Sequence, residues 1–168
     1  MKRKEMPIQK QFHHPWRGYE FDWVALDRQG RLGYFATAGD GWVPELIKDS
    51  TSRYEDVIDL IRQLPVVAAP VISYGKGSKH GEYNLNKSNL LLRDLTVVAE
   101  RGIFGFDWSP YTENYELVTF PGEDVFIADI PNSELAEILS IVALDCDFML
   151  QDEFPLRGAM GQKKFETN

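Results

Sequence analysis

The segment Tyr19-Glu-Phe-Asp-Trp-Val-Ala-Leu26 alternates, with Tyr19, Phe21, Trp23 and Ala25 on one side. A period of two is the pattern of a strand with one face on a core. Asp27-Arg28-Gln29-Gly30 follows, a tight turn in which Gly30 is free to take positive φ. Arg31-Leu-Gly-Tyr-Phe-Ala-Thr37 then reads as the returning strand of a β-hairpin, ending in Ala38-Gly39-Asp40-Gly41. Pro44 is placed to open a short helical turn beyond it. This hairpin commits the chain to a sheet with a buried face. Its 168 residues, 43% hydrophobic and 12% aromatic, suffice for one domain with a core.

Further along, Ser52-Arg-Tyr-Glu55 has the form of a capping box. Tyr54, Val57, Ile58, Ile61 and Leu64 recur behind it at helical spacing, so 53–64 is expected to be a helix stopped by Pro65. Residues 66–74 are apolar and β-branched, with Pro70 inside, which suits an edge strand or extended segment. The stretch 75–86 is a polar, Gly-rich loop. Ser88 to Arg101 reads as a second helix, buried through Leu91, Leu95, Val98 and Ala99, with Gly102 as its stop. Ile103–Trp108 and Tyr115–Phe120 read as strands on either side of a turn at Ser109-Pro110. Val125–Ala128 reads as a short strand or extended piece, and Pro131 precedes a third helix carrying Leu135, Ile138 and Leu139. Residues 142–150 could prolong that helix or form a strand; Cys146, Phe148 and Leu150 alternate with Asp145, Asp147 and Gln151, which favours the strand. Strands outnumber helices without regular βαβ alternation. The expected class is α+β, a mainly antiparallel sheet with about three helices packed against it. The expected organisation is a basic N-terminal arm (1–17), a single domain (18–156) and a C-terminal tail (157–168).

Charge narrows the functional classes. The chain carries 18 Lys and Arg against 26 Asp and Glu, a formal net charge of −8. Its pI is about 4.9. That balance disfavours non-specific binding to nucleic acid, which requires basic residues against phosphates. The single cysteine, Cys146, excludes an internal disulfide and points to a reducing, cytoplasmic setting. The basic start is not followed by an apolar stretch, and the longest apolar run, Leu64–Ile72, is broken by Pro65 and Pro70. Neither a signal peptide nor a membrane span is expected.

No residue pattern points to catalysis. His13, His14 and His80 have no metal-ligand spacing. Cys146 lies between two acids, which raise a thiol's pKa and suit a buried structural cysteine. Gly75-Lys-Gly-Ser-Lys-His-Gly81 resembles a phosphate loop in composition but lacks the P-loop spacing. Gly39-Asp-Gly41 likewise falls short of a dinucleotide fingerprint. Glu20 with Asp22, and Asp145 with Asp147, stand two apart on strands, roughly 7 Å, which glycosidase carboxylates also show; a solvated strand face shows it too. No catalytic residue, metal ligand or cofactor site is assigned.

What stands out is the distribution of charge. From Gly102 to Leu156 there are 12 acids and no Lys, Arg or His, whereas the rest of the chain has 18 basic residues against 14 acids. Phe104, Phe106, Trp108, Tyr111, Tyr115, Phe120 and Phe126 lie within this stretch. Acids that steer and aromatics that anchor make the composition of a protein-binding surface. The candidate partner contacts are Asp107, Trp108, Tyr111, Glu113, Tyr115, Glu116, Glu123, Asp124 and Asp129.

The run from Tyr19 to Pro44 resembles the opening motif of a bacterial immunity-protein family of polymorphic and contact-dependent growth inhibition toxin systems. The likeness is carried by Asp22-Trp23, by Asp27 and Gly30 in the turn, and by Thr37-Ala-Gly39, Gly41 and Pro44. Gly105-Phe-Asp107, the Tyr115 strand and the helix start at Ile130-Pro131 follow in a similar order. The resemblance implies a non-enzymatic inhibitor that binds a cognate toxin in the cytoplasm and covers its active site or substrate surface. Many such toxins are basic nucleases, which fits an acidic binder. Asp22, Asp27, Gly30, Gly39, Gly41 and Pro44 have a simpler role open to them, shaping the hairpin and its exit loop. The rival reading is a small hydrolase or nucleotide-binding enzyme using the 75–81 loop. Neither a nucleic-acid nor a membrane partner is expected.

Overall fold

A computed structural model describes residues 12–13, 21–48, 57–72, 91–150 and 153–154. The elements in order are β1 (Phe12–His13), β2 (Trp23–Leu26), β3 (Leu32–Ala36), β4 (Val43–Pro44), α1 (Glu45–Lys48), α2 (Val57–Arg62), β5 (Val71–Ile72), α3 (Leu91–Ala99), β6 (Phe104–Ser109), β7 (Asn114–Phe120), α4 (Ser133–Leu139) and β8 (Glu153–Phe154). The class is α+β. The main sheet is six-stranded, in the order β2-β3-β6-β7-β5, with β8 also on β7. β5 meets Thr119 and Phe120 while β8 meets Tyr115 and Glu116, so the two short strands divide one edge of β7. β1 and β4 pair separately.

The expected hairpin is present, with Trp23 opposite Phe35 and Leu26 opposite Leu32. Gly30 has φ +83, the conformation its turn requires. The sheet is antiparallel except between β3 and β6, where Gly33 pairs with Phe104 and Phe35 with Phe106 in parallel. β6 and β7 form the second hairpin, from Ser109↔Asn114 through Phe106↔Leu117, with a shift of register at Gly105.

Alternation along β2 leads one to expect a half-buried strand. Instead Trp23, Val24, Ala25 and Leu26 are all buried, because both faces of the sheet are covered. A side chain at Gly33 would meet the Phe148 ring, whereas one at Gly105 would meet Leu95 of α3. Gly105 lies opposite Tyr34, one residue on from Gly33, so Phe148 and α3 sit on opposite faces. On the Phe148 face the rings form a ladder across the strands. Trp23 stacks on Phe35 at 4.1 Å and Phe35 on Phe106 at 4.7 Å, with Tyr115 edge-on to Trp23 and Phe35. Such pairs add ~0.5–1.5 kcal/mol each beyond their burial. On the helix face Thr119 Oγ1 donates to the Leu95 carbonyl at 2.9 Å.

The C-terminal half departs from expectation in three places. Residues 142–150 do not form a strand: one parallel bridge joins Ala143 to Leu26, and the chain then bends into a 3-10 turn at Phe148–Leu150. The cause is a competing acceptor, since the Phe148 amide donates to Asp27 Oδ2 at 3.2 Å. The Val125–Ala128 region makes one bridge, Phe126 with Arg31, before a 3-10 turn at Ile127–Asp129. Glu153–Phe154, within the expected domain but beyond its last expected element, is strand β8. α4 is capped at its N-terminus by Asn132, whose side chain accepts the Leu135 amide at 3.1 Å. The box at Ser52 and Glu55 and the loop 75–86 lie outside the described residues, as does most of the N-terminal arm.

Asp27 is fully buried and ties these pieces together. Its Oδ1 accepts the amides of Gln29 and Arg31, each at 2.8 Å. Its Oδ2 accepts Arg31 Nη1 and the Phe148 amide, each at 3.2 Å. Removing one partner of a buried, hydrogen-bonded charge pair typically costs ~3–5 kcal/mol. Asp27→Ala is therefore expected to lose stability on that scale in urea unfolding. Arg28→Ala removes only exposed contacts with Asp145, to its carboxylate and its carbonyl, and is expected to lose under ~1 kcal/mol. Equal losses would refute the special standing of Asp27.

Candidate partner-binding site

The motif residues of the first hairpin are used internally. The Asp22 carboxylate accepts the Tyr34 hydroxyl and, at 3.3 Å, the Thr37 amide, which fixes the mouth of the hairpin. Burial, with Asp22 beside it, raises the Tyr34 pKa. Trp23 Nε1 donates to Tyr115 Oη at 3.1 Å, and Tyr115 Oη donates to the Trp42 carbonyl at 2.9 Å. The exit loop crosses this bond so closely that any side chain at Gly41 would collide with the Tyr115 hydroxyl. Thr37 receives the Phe21 amide on its hydroxyl and the Gly41 amide on its carbonyl. Ala38 and Gly39 follow with φ +50 and +75. Pro44 is buried in β4, opposite Phe12, and α1 begins at the next residue. These contacts account for Asp22, Trp23, Asp27, Gly30, Gly39, Gly41 and Pro44 through local structure.

The nine candidate partner contacts do not make one surface. Tyr115 is fully buried and Trp108 nearly so, packed edge to face at 5.2 Å. As core residues they are withdrawn from contact with a partner. The rest divide between the ends of β7, a seven-residue strand of about 20 Å. Tyr111 and Glu113 lie in the exposed turn between β6 and β7, with Asp107 and Glu116 directly opposite one another just behind it. Tyr111 is 80% exposed, the most exposed large hydrophobic side chain described. Glu113 has φ +53, and its amide donates to the Ser109 carbonyl at 2.9 Å. Thr112 Oγ1 donates to Glu116 Oε1 at 3.1 Å. Glu123, Asp124 and Asp129 follow the far end of β7. Glu123 and Asp129 are exposed, and Asp129 Oδ2 accepts the Phe126 amide at 3.1 Å.

Asp124 is an ion-pair partner. Arg31, 17% exposed at its side chain, places Nε 2.8 Å from Asp124 and Nη1 3.1 Å from Asp147, while also holding Asp27. Arg28 reaches Asp145 at 2.9 Å. The acidic stretch lacks its own cations, yet the first hairpin's turn neutralises part of it. Sequence reasoning missed this because Arg28 and Arg31 lie more than ninety residues away from these acids. The sequence signal is only that two arginines, Arg28 and Arg31, share a turn with Asp27.

Towards the other end, neither Asp107 nor Glu116 is in an ion pair with Lys or Arg among the described residues. Burial, with Asp22 and Glu116 nearby, pushes the Asp107 carboxyl up to about 6. This pair was legible, because a turn after Ser109 sets the register that brings 107 opposite 116. Cys146 is buried, and its thiol is pushed up to about 12 by that burial, with Asp27, Asp147 and Asp145 raising it further and Arg28 lowering it, which disfavours the thiolate. Among the described residues no group of three or more His, Cys, Asp or Glu is placed to hold a metal ion, and no helix is long and apolar enough to cross a membrane. The 75–81 loop of the rival enzymatic reading lies outside them. Comparison of the chain with protein-family models, with curated proteins and with solved structures finds no match.

Two measurements follow. A carboxyl whose pKa is higher folded than unfolded binds its proton more tightly in the native state. Its protonation therefore favours folding most fully below the unfolded value near 3.8, an advantage lost as pH rises through about 6. Asp107→Asn is expected to be more stable than the parent at pH 7.5, by on the order of 2 kcal/mol, and the gap is expected to close towards pH 4. A gap unchanged across that range would count against this assignment. Asp124→Lys, which sets a cation against the Arg31 guanidinium, is expected to lower Tm by several degrees, about 1–2 kcal/mol, whereas Glu123→Lys leaves it within about a degree. The two are compared by differential scanning calorimetry.

Proposed function

We propose that the chain is an immunity protein: it binds a cognate bacterial toxin domain in the cytoplasm and neutralises it without catalysis, by covering the toxin's active site or substrate surface. The observation that carries the reading is the one-signed stretch from Gly102 to Leu156, twelve acids without a Lys, Arg or His. Tyr111, Glu113, Glu123 and Asp129 of that stretch are exposed. Exposed acids together with an exposed aromatic suit a basic protein, and a nuclease domain has that character because it must itself hold phosphates. The likeness of residues 19–44 to the opening of an immunity-protein family supports the same class. In such a protein the hairpin is the scaffold and the acids are the contact.

The test is growth. The polypeptide encoded next to this chain is expressed from an inducible promoter, alone and with the chain. Arrest by the first and recovery with the second is the expected result, accompanied by a complex on size-exclusion chromatography. Recovery is expected without any change in the toxin's abundance, as inhibition by binding requires. If the neighbour does not arrest growth, or arrests it equally in both strains, the reading fails.

A further inference from the structure

Beyond α4 the chain runs between two anchors on the sheet. At one the Leu144 amide donates to the Leu26 carbonyl at 2.8 Å, and at the other β8 lies against Tyr115 and Glu116 of β7. Between them, among the described residues, the polar contacts of 145–150 with the sheet all fall on the β2–β3 turn. The Arg28 amide donates to the Cys146 carbonyl at 2.8 Å and the Phe148 amide to Asp27 Oδ2 at 3.2 Å, while Arg28 and Arg31 pair with Asp145 and Asp147. Two further bonds are internal, from the Met149 and Leu150 amides to Asp147. The apolar hold is as concentrated. Cys146 and Phe148 are buried, the Phe148 ring fully so, seated over Gly33 among Phe35, Phe104 and Phe106, whereas Met149 and Leu150 are exposed.

A segment held at one turn and by one ring can leave without the rest. The turn keeps its own bonds when it does: Asp27 Oδ1 still accepts the Gln29 and Arg31 amides, and Oδ2 still accepts Arg31 Nη1. Departure of the Phe148 amide admits water to Oδ2, which relieves part of the desolvation of that buried anion. The β6–β7 ladder has no such exit, since its pairing runs from Ser109↔Asn114 to Gly105↔Thr119 inside the sheet. Segments with few, clustered contacts open at lower free energy than central strands. We propose that residues 145–150 are a latch that opens locally from the β2–β3 turn, lifting Phe148 off Gly33 and uncovering Cys146, while the sheet stays folded. The single cysteine of the chain thereby reports the state of the latch: closed, its thiol is buried and slow to ionise; open, it meets water as an ordinary thiol.

The test follows the full chain under native conditions by iodoacetamide labelling of Cys146 and by amide hydrogen exchange. Labelling is expected through an opening at least about tenfold more populated than global unfolding and only weakly dependent on urea, and the Arg28 and Phe148 amides are expected to exchange through that same opening. Labelling or exchange that occurs only with global unfolding overturns the proposal. Two variants separate the steps. Val98 is buried in α3, on the face of the sheet away from Phe148, so Val98→Ala is expected to speed exchange of the β6–β7 amides about tenfold while leaving Cys146 labelling within about twofold of the parent. A common acceleration of both means that the latch does not open by itself, and overturns the proposal. Phe148→Leu, which shrinks the ring that holds the latch shut, is expected to raise labelling at least about fivefold. Labelling that does not rise shows that Cys146 reacts without release of Phe148, and this too overturns the proposal.

Discussion

A carboxylate with no exposure to water sits where the chain first turns back on itself. Taking an anion out of water costs several kcal/mol, and only converging donors offset it. Asp27 has them: two amides from its own turn, the Arg31 guanidinium and the Phe148 amide. The first two make the turn tight. The last reaches across 121 residues and pins the segment that lays the Phe148 ring against Phe35, Phe104 and Phe106. Without that bond the aromatic face of the sheet would lose what orders its cover. A local turn residue thus fixes a tertiary layer, and the stacked rings from Trp23 to Phe106 depend on it as much as on their own burial.

Arg31 extends the same logic to the charge map. A guanidinium has five donors in a fixed fork, and this one is divided among Asp27, Asp124 and Asp147. The acids it holds belong to the stretch that, in sequence, carries negative charge alone. The fold therefore does not inherit the sequence's uniform distribution. It spends the two turn arginines at one end of the sheet and leaves Asp107 opposite Glu116 towards the other. Charge that looked continuous over fifty-five residues becomes two regions of different character, separated by the length of one strand.

How much of this was legible follows from sequence separation. The first hairpin was readable because alternation and a four-residue turn are adjacent, and β6 with β7 because one turn sets their register. The parallel pairing of β3 with β6 was not, since Gly33 and Phe104 are joined only by the helices and loops between them. Burial of both faces of β2 was also hidden. Val24 and Leu26 are apolar between the alternating aromatics, and only the covering elements show which faces are dry. Over 142–150 the period was real and its reading as a strand was not, because Asp27 captures an amide that a ladder would have used. Tyr115 and Trp108 showed the limit of composition, which counts aromatics without saying which of them close the core. Tyr111, four residues before Tyr115, is the one that stays in water.

The opposition of Asp107 and Glu116 has a consequence for stability that the far end does not share. Where acids are paired with arginines they stabilise the fold. Where they face one another across strands the fold bears the repulsion. The same displacement of Asp107 towards protonation is a measure of how unfavourable its charge is in the free protein. Near neutral pH Asp107 is largely ionised and the fold bears that cost, which is relieved as the solution is acidified below about 6.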